Sequence, residues 1–122
     1  MKKILFIEDE AALQKTLSSA LKDAGFSVFQ ALDGDTGLRL IQREKPDLVL
    51  LDLILPKKDG FEVLRGLKEN RETQSIPVIV LTNLGGLREV QSALDLGARD
   101  YLIKTNYKPS ELVEKVKMIL NQ

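Results

Sequence analysis

Six polar residues stand directly after apolar runs in this sequence, and their types limit the chemistry they could perform. Glu8, Asp9 and Glu10 follow Ile4-Leu5-Phe6-Ile7. Asp52 follows Leu48-Val49-Leu50-Leu51, Thr82 follows Val78-Ile79-Val80-Leu81, and Lys104 follows Tyr101-Leu102-Ile103. Carboxylates held close together raise one another's pKa unless a cation sits among them. The sequence has no histidine and no cysteine, so that cation is expected to be hard and oxygen-ligated. Mg2+ is the simplest choice, since it keeps several waters and takes few carboxylates. The same absences exclude a Ser-His-Asp triad, an imidazole or thiolate metal site and a disulfide scaffold. Any chemistry here runs on carboxylates, hydroxyls, amines and hard cations.

The elements that would position these groups follow from periodicity. Leu48–Leu51 and Val78–Leu81 are unbroken apolar runs rich in branched residues, the pattern of strands buried on both faces of a parallel sheet. Ser27-Val28-Phe29 with Ala31-Leu32, and Tyr101-Leu102-Ile103, are shorter and more polar, which suits edge strands. Between the runs the spacing turns helical: Leu13, Leu17, Leu21 and Ala24; Leu38 and Ile41; Phe61, Leu64 and Leu67; Leu87, Val90 and Leu94; Leu112, Val113, Val116, Ile119 and Leu120. Gly25 and Gly97 read as helix stops, Pro46 as a barrier before the third strand, and Pro109 as a first-turn proline. Asp33-Gly34-Asp35 reads as helix-capping chemistry. The result is βα repeated five times, an α/β chain with parallel strands, right-handed crossovers and helices on both faces of a doubly wound five-stranded sheet. In such a sheet, function gathers beyond the carboxyl ends of the strands, where the six polar residues fall.

The length of 122 residues suits one domain over 1–122. With 18 basic and 18 acidic side chains the net charge is zero, which argues against direct nucleic-acid or membrane binding. No apolar stretch approaches the length of a spanning helix, and Glu8-Asp9-Glu10 ends the first run too early for a signal peptide. The default location is cytoplasmic.

At this point the pattern resembles the receiver domain of two-component response regulators. The resemblance rests on Glu8-Asp9, on Asp52-Leu53-Ile54-Leu55-Pro56 running to Asp59-Gly60, on Leu81-Thr82, and on Asp100-Tyr101-Leu102-Ile103-Lys104, in order and at the family's spacing. It implies a flavodoxin-like (βα)5 receiver fold with strand order 2-1-3-4-5. It implies Mg2+ held by Asp9, Asp52 and the backbone carbonyl of Ile54, with Glu8 acting through water. Asp52 would be the phosphoacceptor, forming an aspartyl phosphate. Lys104 would offset charge on the phosphoryl group and Thr82 would donate a hydroxyl to it. Tyr101 would act as the switch, passing the state to the surface of the fourth helix, fifth strand and fifth helix. Exposed positions there, including Arg88, Gln91, Asp95 and Lys115, would bind a downstream protein or a second copy of the chain. The phosphoryl donor would be a histidine kinase or a histidine phosphotransfer protein, because a chain without histidine cannot supply a phosphohistidine. Such a chain is not a conventional enzyme, though it would assist its own phosphorylation and a slow autodephosphorylation. No output domain follows the fifth helix, so the expectation is a stand-alone receiver or a piece of a longer regulator.

Glu10 reads as a cap of the first helix, and Tyr107 and Pro109 as loop packing. An electron carrier would need a phosphate cradle after the first strand, where three acids stand instead. A phosphatase with an aspartyl nucleophile would carry a second Asp where Ile54 stands. A receiver-like interaction module that is never phosphorylated is the remaining alternative, and the joint presence of Asp9, Asp52, Thr82 and Lys104 argues against it. Three features depart from the family. Thr105 replaces the usual proline after Lys104, where a cis bond to a non-proline residue would cost roughly 2.5–4 kcal/mol. The loop from Thr105 to Pro109 is one residue longer than is common and is expected to carry partner specificity. Asn83 replaces a small residue and, with apolar Ile54 and Leu84, implies a long-lived phosphoryl state. Gly85-Gly86 is expected to give the following loop backbone freedom.

Overall fold

A computed structural model describes residues 1–121. The described residues form strands β1 (Lys3–Ile7), β2 (Ser27–Ala31), β3 (Leu48–Leu51), β4 (Val78–Thr82) and β5 (Asp100–Ile103). They alternate with helices α1 (Ala11–Asp23), α2 (Gly34–Glu44), α3 (Gly60–Glu69), α4 (Leu87–Asp95) and α5 (Pro109–Leu120). All strand pairs are parallel, and the sheet order is β2-β1-β3-β4-β5. The crossover that makes β1 central, with β2 on one side and β3 on the other, creates the switch point at the β1 and β3 carboxyl ends. Register aligns Ile7 with Ala31 and with Leu51, so the two central strands end level.

Burial explains the pattern of runs. Every residue of β3 and β4 is buried, whereas β2 and β5 carry half-buried positions, as edge strands should. The alternating side chains of the central strands feed two core layers. One holds Leu5, Ile7, Val49, Leu51, Val78 and Val80 against α2 and α3; the other holds Ile4, Phe6, Leu48, Leu50, Ile79 and Leu81 against α1 and α5. Each such fully buried side chain contributes about 1.5–3 kcal/mol, which is why these six-residue layers dominate over local propensity.

The local stops act as expected. Gly25 and Gly97 adopt φ values of 98° and 104°, left-handed conformations that glycine takes without a Cβ penalty. Lys45 ends α2 in the same region at φ 45°, immediately before Pro46. Asp33 caps α2 by accepting from the Thr36 amide, and Pro109 occupies the first turn of α5. Two local expectations change. Leu32 lies beyond β2 and is exposed. Glu10 occupies the position before α1, but its side chain accepts no capping hydrogen bond; its carboxylate lies 3.8 Å from Lys104 Nζ. Gly86 precedes α4 in an extended conformation with φ −72°, and Gly85 is outside the left-handed region.

Candidate functional site

The site forms where β1, β3 and β5 end. Asp52 stands one residue beyond β3 and is almost fully buried. Its backbone amide donates to the Ile7 carbonyl at 3.1 Å, which extends the β1–β3 pairing by one rung and fixes the Cα. One carboxylate oxygen, Oδ1, accepts from the Ile54 amide at 3.1 Å, and the other, Oδ2, accepts from Lys104 Nζ at 2.8 Å. The first turn of α3 presses on this segment from behind. A Cβ on Gly60 would lie 2.4 Å from the Asp52 carbonyl oxygen and 2.4 Å from the Leu53 Cα, so only glycine permits that approach. Asp59 closes the turn with a capping box shared with Glu62.

Glu8 and Asp9 follow β1 and diverge. Glu8 is wholly buried, and its Oε2 accepts from the Glu10 amide at 3.1 Å. Its Oε1 lies 2.7 Å from Lys104 Nζ, an ion pair whose alignment falls short of a hydrogen bond. Asp9 is exposed, yet carboxylate oxygens of Glu8, Asp9 and Asp52 all lie within 4.8 Å of one another. Among the described residues Lys104 is therefore the single ammonium that bridges Asp52 and Glu8, with Glu10 farther off at 3.8 Å.

These contacts set the charge states. Burial pushes the Glu8 carboxyl up from 4.5 to about 7, against the pull of Lys104 and the Glu10 amide, and the nearby Asp52 charge adds to the rise. Burial pulls Lys104 down, but its hydrogen bond to Asp52 and its ion pair with Glu8 outweigh that and hold it above the ordinary lysine value. It stays an ammonium. Three carboxylates around one ammonium leave an excess of negative charge in a confined space. A hard divalent cation fits this donor set: it would neutralise the excess and relieve the desolvated Glu8.

Thr82 and Tyr101 sit one step away and are joined to each other. Thr82 ends β4, is wholly buried, and its Oγ1 accepts weakly from the Leu84 amide at 3.4 Å. The half-buried Tyr101 hydroxyl donates to the carbonyl of the same Leu84 in a short hydrogen bond. Burial, with the charges of Glu89 and Asp52, raises the Tyr101 phenol, so it remains a neutral donor. The β4–α4 loop is thus held between a hydroxyl at the site and a hydroxyl at the edge strand. Ile54, two residues after Asp52, is exposed and apolar, and Asn83, next to Thr82, is exposed. The Lys104–Thr105 bond is trans, and Lys104 opens a single 3-10 turn, Lys104–Asn106, that leads into α5. This turn was not anticipated from the sequence. Tyr107 packs on the Leu17, Leu81 and Leu112 layer, in keeping with loop packing.

Sequence reasoning missed Gln14. This α1 side chain is buried, and its amide nitrogen reaches the carbonyls of Phe6, Glu8 and Ala31. The available signal was a polar residue inside the Leu13, Leu17, Leu21 stripe.

An open parallel sheet with β1 at the switch point and an acid cluster at its carboxyl end defines a CheY-like receiver of the flavodoxin fold. The chain belongs to the response regulator receiver domain family, whose model matches residues 4–117. It is 40% identical over its whole length to the DNA-binding dual master transcriptional regulator RpaA of Synechocystis, covering 50% of that protein. The chain spans about half the length of the curated relatives it matches. Among solved structures it resembles the BeF3-activated N-terminal receiver domain of Klebsiella pneumoniae RstA, at TM-score 0.89 and 35% identity, covering 99% of this chain and 100% of that one. It also resembles the Mn(2+)-bound form of the response regulator Rcp1, at TM-score 0.86 and 31% identity, covering 98% and 94% respectively. These matches place the chain among the receiver domains of two-component response regulators and support a role in phosphorylation-based signalling. Among the described residues no helix is long and apolar enough to cross a membrane.

Proposed function

We propose that residues 1–122 act as a receiver that accepts a phosphoryl group on Asp52 from a phosphohistidine of a partner, a histidine kinase or histidine phosphotransfer protein. The observation that carries this is the buried Asp52 carboxylate, held by the Ile54 amide on one oxygen and by Lys104 on the other. An Asp52 oxygen attacks phosphorus; the O–P bond forms as the P–N bond breaks, and the imidazole leaves with its electron pair and takes a proton from water. The chain itself contains no histidine, so the donor imidazole belongs to the partner. Asp9, Asp52 and the Ile54 backbone carbonyl would hold Mg2+, with Glu8 acting through water, and the ion would supply charge neutralisation at the phosphoryl oxygens. Lys104, already 2.8 Å from Asp52, follows the charge onto the phosphoryl group.

The output follows from the link through Leu84. Once Thr82 turns its hydroxyl toward the phosphoryl group, it gives up the Leu84 amide, and the Leu84 carbonyl that Tyr101 holds is free to move with the loop. Tyr101 then changes rotamer and the surface formed by α4, β5 and α5 rearranges. Arg88, Gln91, Asp95 and Lys115 lie there; Gln91 now bonds Asp95 at 2.8 Å and Lys115 pairs with Asp100 at 3.0 Å. That surface binds a downstream protein or a second copy of the chain, rather than nucleic acid or a membrane directly. The protein is cytoplasmic on this reading, and its catalytic part is limited to assisting its own phosphorylation and slow dephosphorylation.

The test is incubation with Mg2+ and acetyl phosphate or phosphoramidate, followed by mass measurement. An added phosphoryl mass that Asp52→Asn abolishes is the expected result. Because Asn83 narrows access for small donors, a negative result is repeated with beryllofluoride. Failure of both leaves a receiver-like interaction module that is not phosphorylated in use.

A further inference from the structure

The buried amide of Gln14 has no part in the phosphoryl chemistry, yet it touches the backbone that carries both first-strand acids. Its Nε2 lies 2.9 Å from the Ala31 carbonyl, 3.0 Å from the Phe6 carbonyl and 3.3 Å from the Glu8 carbonyl. The β1–β2 ladder ends with Ile7 opposite Ala31, and one more rung follows, from the Glu8 amide to the Ala31 carbonyl at 3.0 Å. Beyond it the two chains part, because β2 runs into the Asp33 cap while β1 runs into the acid loop. The Gln14 amide fills the fork.

The Glu8 carbonyl belongs to the peptide plane between Glu8 and Asp9. The orientation of that plane decides how one acid side chain can be wholly buried and the next exposed while their carboxylates, with that of Asp52, stay within 4.8 Å. Only a donor can serve here. Turning the amide over would set its oxygen against three carbonyls, and in the observed orientation Gln14 Oε1 is left buried with no partner among the described residues. A buried unpaired acceptor is costly, so the donor contacts outweigh it. We infer that Gln14 is a positioning residue for the acid pair: by holding the Glu8–Asp9 peptide plane to the ends of β1 and β2, it sets the two carboxylates for the divalent cation. This rests on the Mg2+ site proposed above.

The experiment compares wild type with Gln14→Met, which keeps the volume and loses the donors, and with Gln14→Asn, which keeps the amide on a shorter stem. Val116→Ala, in the buried face of α5, serves as a variant destabilised away from the site. Mg2+ affinity is measured by calorimetry well below the unfolding temperature, and amide hydrogen exchange of Glu8 and Asp9 is followed without metal. Supporting a partner behind a metal ligand is typically worth 10–100-fold in affinity, so Gln14→Met is expected to weaken Mg2+ about 10-fold. Gln14→Asn falls between it and wild type, Val116→Ala stays at the wild-type value, and Glu8 amide protection drops in Gln14→Met. Wild-type affinity in a folded Gln14→Met or Gln14→Asn protein overturns the inference, whatever happens to stability. If wild type itself binds no Mg2+, the proposed metal site fails separately. Unchanged Glu8 exchange in Gln14→Met then overturns the positioning role as well.

Discussion

Replacing Glu8 with glutamine tests the electrostatics of the site most directly. Glu8 is wholly buried, and its carboxyl is raised from 4.5 to about 7, chiefly by burial. In the unfolded chain the group titrates at its ordinary value. Between the two values the folded protein binds more protons than the unfolded one, so stability falls as pH rises. In the absence of divalent ions, that contribution is fully present below the unfolded value and is lost by the time pH passes the folded value. At ~1.36 kcal/mol per pH unit, the loss across the interval from 4.5 to about 7 reaches about 3 kcal/mol. Glu8→Gln behaves as a permanently protonated Glu8 and lacks this loss. Urea unfolding of both proteins in chelator, from about pH 5 to about pH 8.5, measures it. The two proteins converge at the acid end, and the variant is the more stable by up to about 3 kcal/mol at the alkaline end. Mg2+ recovers stability in wild type and much less in the variant, since the cation stabilises the ionised carboxylate. Equal pH slopes in the two proteins, or a variant less stable than wild type above pH 7, would refute the buried-charge argument.

Three further outcomes follow from the same contacts. Gly60→Ala places a methyl 2.4 Å from backbone at Asp52 and Leu53, so it should cost about 1–3 kcal/mol in urea unfolding and slow Asp52 phosphorylation by shifting the nucleophile; an unchanged midpoint would show that α3 can retreat. Asn83→Ala should shorten the lifetime of the phosphoryl group, followed as loss of its mass with time, and rapid loss in wild type would sink the expectation of a long-lived state. Thr105→Pro combined with removal of one residue from the Thr105–Pro109 loop should change relative phosphotransfer rates among partner kinases, and identical rates with every partner would remove the loop from specificity.

What could be read from residue order alone was whatever depends on near neighbours and on burial of whole elements. The runs Leu48–Leu51 and Val78–Leu81 read as central strands because every side chain in them is apolar and branched residues predominate, and both are buried throughout. Asp33, Gly25, Gly97 and Pro109 mark their helix ends through bonds and backbone angles that involve one or two residues. Residue type and strand-end position also marked Glu8, Asp9, Asp52 and Lys104 as one constellation. Tertiary structure alone decided how they divide the work. Glu8 and Asp9 are adjacent acids of similar chemistry, and only packing buries one beneath Lys104 and leaves the other at the surface. Lys104 reaches Asp52 from 52 positions away through a 3-10 turn that carries no marked sequence signature. Thr82 and Tyr101 meet through the backbone of Leu84, and Gln14 holds carbonyls of two strands. Backbone groups are the same at every residue, so a contact that ends on a carbonyl or an amide leaves no mark in the sequence of its partner. Charge state depends on desolvation by the whole surrounding fold, which is why the acid cluster was visible beforehand and the raised Glu8 was not.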